Sequence, residues 1–185
     1  MFREICRQIA KAARPPVLPT LAVGQRMVLR LFLHAERDGI IIAVTRRFHR
    51  EAVLAKVLDA LSLIEAANAP CYQRLRATTG QLLIASATTP GYSRWTGTGW
   101  LASRIVDRDT TMEVAATIVY EIAYARLARV AIMPLSRARR SRVFIACVGA
   151  QIRFIRSLPR ERVGNTDRHL ELLSGYIARA TSDAA

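Results

Sequence analysis

Apolar residues recur at helical spacing most clearly between residues 53 and 64. Val53, Leu54, Val57, Leu58, Leu61 and Ile64 fall on one stripe of the segment RFHREAVLAKVLDALSLIEAANAP, which predicts a helix closed by Pro70. Ahead of it, GIIIAV within residues 39–45 is short, β-branched and preceded by the turn pair Asp38-Gly39, so it reads as a strand. RMVLRLFLHA, 26–35, fits either a helix or a strand. QLLIASATT, 81–89, predicts a strand, TPGYSRWTGTG a loop, and WLASRIVD, 100–107, a second strand. Thr110 or Thr111 can cap the next helix, with Glu113 near its positive end. That helix stops before Pro134. Ser136 starts another that runs to about Leu158 and ends at Pro159, and a final helix covers roughly 167–180. At the other end, Phe2, Ile5, Cys6, Ile9 and Ala13 share one face of a short basic amphipathic helix over 2–14, broken by Pro15, Pro16 and Pro19. The expected architecture is α+β: residues 1–19 form a basic N-terminal helix and proline-rich linker, and residues 20–185 one domain with a helical C-terminal half.

Length and composition agree with a folded domain: 185 residues, 51% hydrophobic. Arg26 and Arg30 interrupt the most apolar stretch, so no run reaches the ~20 residues a membrane helix needs. MFREICRQIAKAARPP lacks the continuous apolar core of a secretory signal. These features lead us to expect a soluble, cytoplasmic protein without a transmembrane segment. Cys6, Cys71 and Cys147 form no C-x-x-C pair and are odd in number, which suits reduced thiols. His34, His49 and His169 are never three or four residues apart, so no local histidine pair can grip a metal. The GTGW turn at 97–100 lacks the spacing of a phosphate loop and reads as a tight connection.

Charge adds a second theme. The formal net charge is +14, and Lys11 and Lys56 are the only lysines. Arg137, Arg139, Arg140, Arg142, Arg153, Arg156, Arg160 and Arg162 lie within one expected helix and its end, with Glu161 the only acid among them. Such a stretch is a candidate anion-binding face for nucleic acid or another anionic surface. An arginine- and alanine-rich composition, with a solvated helix face, explains the same residues without a partner.

Candidate chemistry centres on TIVYEIAYARL, Thr117 to Leu127. An H-E-x-x-H helix holds zinc with two histidines four residues apart, and its glutamate activates the metal-bound water. Here the frame reads Tyr120-Glu121-Ile122-Ala123-Tyr124. TMEVAATIVYEIAYARL resembles the active-site helix of a bacterial family of zincin-like metallopeptidases, whose sequence looks like A-A-x-I-V-H-E-x-x-H-A-R-L. Ala115, Ala116, Ile118, Val119, Glu121, Ala125, Arg126 and Leu127 match it. ALSLIEAANAPCYQRL is similar to the segment that precedes the motif in these proteins, and the resemblance spans roughly residues 46–162.

The resemblance implies a zincin-like fold, a small sheet beside the motif helix, with Glu121 at the general-base position. It also implies that the ligands are gone. Tyr120 and Tyr124 stand for the histidines. Phe144 stands for an acid that the family supplies from the following helix, in a stretch like R-x-R-I-E-x-x-C, here Arg140 to Cys147. A phenol ionises only near pH 10 and is a poor zinc ligand, so no cofactor is expected. The three rings can instead fill the gap that a metal would leave, with Glu121 bonded to a tyrosine or an arginine. The expected function is that of a pseudopeptidase, a non-catalytic binding or regulatory protein with an unidentified protein partner. Two alternatives stay open: a basic protein that contacts nucleic acid or an anionic surface, and an active metal-dependent hydrolase with atypical ligands.

Overall fold

A two-residue turn at Asp38-Gly39, with φ of 51° and 81°, folds the start of the sheet. Both residues take the positive φ that tight hairpins require, which Asp tolerates and Gly adopts freely. The turn joins β1 (Leu33–Arg37) to β2 (Ile40–Val44) as an antiparallel pair with Arg37 opposite Ile40. The structure is a computed structural model and describes residues 24–25, 27–45, 49–86, 90–93, 97–129, 137–159 and 166–182. The expected N-terminal helix over 2–14, the proline-rich linker and the Ser136 cap lie outside these residues.

The remaining elements are α1 (Arg50–Ala67), α2 (Ala69–Thr78), β3 (Gln81–Ala85), β4 (Gly91–Ser93), β5 (Thr98–Ala102), α3 (Ser103–Arg108), α4 (Thr111–Arg129), α5 (Arg137–Ser157) and α6 (Thr166–Ser182). The five strands lie in the order β1-β2-β3-β5-β4. β2, β3 and β5 run parallel, and each edge strand is antiparallel to its neighbour. The helical pair α1–α2 makes the long crossover that parallel pairing of β2 and β3 demands.

Three expectations need correction. Pro70 does not close the first helix; it opens a second one. The Asn68 side chain accepts a hydrogen bond from the Cys71 backbone N–H at 3.0 Å, and a proline in the first turn gives up only a donor that has no intrahelical partner. The segment 100–107 is not one strand. Trp100 to Ala102 belong to β5, but the chain turns helical at Ser103. Lys56 fixes that turn, donating to the carbonyls of Val106 (2.8 Å), Asp107 (3.2 Å) and Asp109 (3.1 Å) at the end of α3, where unpaired carbonyls favour a cation. Lastly, the expected loop TPGYSRWTGTG contains edge strand β4. Gly91 faces Trp100 across the pair, and any β-carbon at Gly91 would collide with that indole.

Alternation along β2 separates two apolar clusters. Ile40, Ile42 and Val44 face the main core with the α1 stripe, Leu82, Ile84, Leu101 and the buried face of α4. Ile41 and Ala43 turn to the other side and meet Leu29 and Leu83. α4 lies against α1 and β4, and α5 packs on α4. A buried hydrogen bond pins the last contact: Gln151 Nε2 on α5 donates to the Ala116 carbonyl of α4 at 3.1 Å. An amide buried with its partner between two helices fixes their relative register.

Candidate functional site

The motif helix begins with a capping box. Thr110 donates from its backbone N–H (2.8 Å) and its hydroxyl (2.9 Å) to the Glu113 carboxylate, and the Glu113 N–H donates back to Thr110 Oγ1 at 3.3 Å. Reciprocal bonding of this kind fixes where a helix starts. It therefore fixes the phase in which Tyr120, Glu121 and Tyr124 leave the helix further along.

Tyr120 meets Phe144 of α5 edge to face, with ring centroids 6.4 Å apart and planes at 65°. Both rings are partly buried against the main core. Tyr124 follows one turn later and is also partly buried. Burial pushes the Tyr120 phenol well above its ordinary range, and the neighbouring Cys147, Glu121 and Tyr124 push it the same way. Cys147 is fully buried, and its thiol is pushed up to about 12 by burial and by Glu121. At neutral pH both groups are protonated.

Glu121 departs from expectation. Its Oε2 atom is buried without a hydrogen-bond partner, so neither a tyrosine nor an arginine satisfies that oxygen. Burial alone lifts its carboxyl from 4.5 to about 7, because a low-dielectric setting disfavours the charged form. The apolar part of Glu121 borders a cavity of about 10 Å³ walled also by Leu82, Tyr92, Trp100, Leu101 and Ile118. A space this small admits about one water at most and no substrate. Tyr92, one of its walls, donates its hydroxyl to the Thr78 carbonyl at 2.7 Å, and so ties β4 to the end of α2.

These donors do not fit zinc. Tyr120 would have to lose a proton that its surroundings hold firmly, and Phe144 offers no donor atom at all. Among the described residues, no three His, Cys, Asp or Glu side chains come together as a metal-binding group. The histidines sit apart from the motif. His34 Nδ1 lies 3.0 Å from the Phe32 carbonyl, His49 is exposed ahead of α1, and His169 Nδ1 is 3.5 Å from Glu113 at the start of α4.

The arginine cluster is only partly brought together. Arg139, Arg140, Arg142, Arg153 and Arg156 are exposed on α5. Helical spacing sets Arg139, Arg142, Arg153 and Arg156 on one face and Arg140 off it. Arg137 opens α5, but its side chain lies outside the described residues, as do Arg160 and Arg162. Two further basic residues emerge only in three dimensions. Arg74 of α2 and Arg126 of α4 share a cleft with Arg153. Nothing in the spacing of 74, 126 and 153 announces that meeting, since it depends on how three helices pack.

Fold and site together define a mixed α+β domain. A five-stranded sheet carries helices over its main core, and two of those helices hold an aromatic contact beside a partly buried carboxyl. Among the described residues, no helix is long and apolar enough to cross a membrane. Comparison of the chain with protein-family models, with curated proteins and with solved structures finds no match.

Proposed function

We propose that this chain is a zincin-like domain that has lost its metal and works by binding rather than by hydrolysis, as a pseudopeptidase. The edge-to-face contact of Tyr120 with Phe144 carries the reading. It occupies the space between α4 and α5 where the resemblance puts a cation between two histidines and an acid. Aromatic rings in this arrangement contribute dispersion and quadrupole attraction, and they leave no lone pair suited to a metal. The setting of Glu121 agrees. A general base needs reach to the proton it abstracts, whereas the apolar-walled cavity beside Glu121 has room for about one water. The order of elements agrees as well: parallel strands, a short antiparallel edge strand against the motif helix, then a helix packed upon it.

The test restores the ligands. A variant with Tyr120→His, Tyr124→His and Phe144→Glu should take up zinc in a one-to-one ratio that survives dialysis and is read by elemental analysis, while the natural chain remains free of it. A well-folded triple variant without zinc affinity would break the proposed correspondence of positions. Stoichiometric zinc in the natural chain, purified without chelator, would favour a hydrolase with atypical ligands. The exposed arginine face of α5 supports a second function, contact with nucleic acid or another polyanion.

A further inference from the structure

A cleft of about 480 Å³ opens between α2, α4 and α5, on the side of α4 roughly opposite Glu121. Its floor is apolar, formed by Val119, Ile122 and Leu127 with the small side chains of Ala123, Ala146 and Ala150. Its charged lining is of one sign: Arg74, Arg126 and Arg153, one from each helix. Among the described residues none of the three guanidinium groups belongs to an ion pair, and no acid lines the cleft. Three like charges turned to one space repel one another and favour an anion that enters it.

Local detail orients two of the arginines. A β-carbon placed on Gly149 would lie 3.4 Å from Arg153 Nη1, so the Arg153 guanidinium folds back along α5 over the bare glycine, in the direction helical side chains prefer. Burial raises the Cys71 thiol, and the charge of Arg74 offsets part of that rise. Arg74 thus lies against the buried sulfur at the cleft wall. The size is that of a small-molecule site, and apolar walls with a few fixed polar groups are the usual composition of one. Among the described residues, no aromatic ring lines the cleft on which a nucleic-acid base could stack.

We propose that this cleft binds a small amphiphilic anion, an alkyl or aryl body lying on the floor of Val119, Ile122 and Leu127 with its carboxylate or phosphate head held by Arg74, Arg126 and Arg153. The head accepts charge-assisted hydrogen bonds from the guanidinium groups, and the body gains by leaving water. This site is separate from the aromatic contact and does not depend on the loss of zinc.

Titration calorimetry of the full chain with decanoate, decyl phosphate and decanol tests it. The two anions distinguish a carboxylate head from a phosphate head, and decanol removes the charge while keeping the chain. At least one anion should bind saturably at one site, with decanol at least tenfold weaker. Arg126→Gln, at an exposed position, should weaken the anion about tenfold or more, in line with the usual strength of a hydrogen bond to a charged group. Arg168→Gln, exposed on α6 and outside both the cleft and the arginine face of α5, should leave affinity unchanged. Ala123→Trp keeps every arginine and fills the floor, so it should abolish binding while circular dichroism stays native. The proposal falls if neither anion saturates, if decanol binds as well as the anions, or if Arg168→Gln costs as much as Arg126→Gln.

Discussion

Replacing Glu121 by glutamine should make the protein more stable at neutral pH, and the gain should grow with pH in a calculable way. The carboxyl rises from 4.5 to about 7 on folding because it is buried, with no partner for Oε2. Below about pH 4.5 the folded and unfolded chains both carry the proton, and the group imposes no penalty. As pH rises, the unfolded carboxyl ionises first. The folded state then loses relative stability until about pH 7, after which the loss is constant. At about 1.36 kcal/mol per pH unit of displacement, the full loss is roughly 3 kcal/mol. It is about 1 kcal/mol at pH 5 and roughly 3 kcal/mol at pH 8. Glutamine cannot ionise, and any cost of its buried amide is independent of pH. Urea denaturation of both proteins from pH 5 to pH 8 should show their difference in unfolding free energy changing by roughly 2–3 kcal/mol in favour of the variant. In melting temperature that change corresponds to about 5–10 °C for a chain of this size. Tyr120 and Cys147, the groups that respond to the Glu121 charge, titrate far above this range. The histidines cancel between the two proteins. A difference that stays flat from pH 5 to pH 8 would mean that Glu121 is solvated or paired, and the account of a desolvated carboxyl oxygen would fail.

A double-mutant cycle on Tyr120→Leu and Phe144→Leu should give a coupling of about 0.5–1.5 kcal/mol from urea denaturation, the usual worth of an edge-to-face pair beyond its buried area; additive losses would show that the rings do not touch. If the arginine face of α5 contacts polyanions, changing Arg139, Arg142 and Arg156 to glutamine should lower the salt at which the chain leaves heparin, and unchanged elution would remove that function.

The helices were legible where one face does one job. The α1 stripe, the cap at Thr110 with Glu113 and the stop at Pro159 each depend on neighbours within a turn or two, so the sequence contains the whole signal. Errors arose where a residue's role depends on distant partners. Pro70 is a helix breaker by habit, yet Asn68 caps the turn around it and makes it a start. Ile105 and Val106 look like strand residues, but Lys56, 50 residues before Val106, holds the carbonyls that end α3. β4 is only three residues long and needs Gly91 to clear Trp100, which no window of local pattern detects. The same division holds for the site. Tyr120 and Tyr124 share a helix face by spacing alone. The contact with Phe144 needs α5 set in register by Gln151, and the cleft of Arg74, Arg126 and Arg153 needs a third helix as well.

Glu121 is the residue that packing alone does not account for. The rings at Tyr120 and Phe144 stabilise the interface they occupy. A carboxyl with an unpaired buried oxygen works against the fold whenever it ionises. Selection for stability alone would replace it with leucine or glutamine, because removing an unpaired buried charge is favourable. Two histories lead to its presence. In one, which rests on the proposed zincin kinship, the carboxyl is a remnant of a general base, and Glu121→Gln gains stability and loses nothing else. In the other, the proton on Glu121 reports pH close to neutrality to the α4–α5 contact through Tyr120 and Cys147, its electrostatic neighbours. The glutamine variant separates them. A remnant leaves anion affinity in the cleft identical in both proteins at pH 6 and pH 8. A working proton switch makes that affinity depend on pH in the natural chain and removes the dependence in the variant.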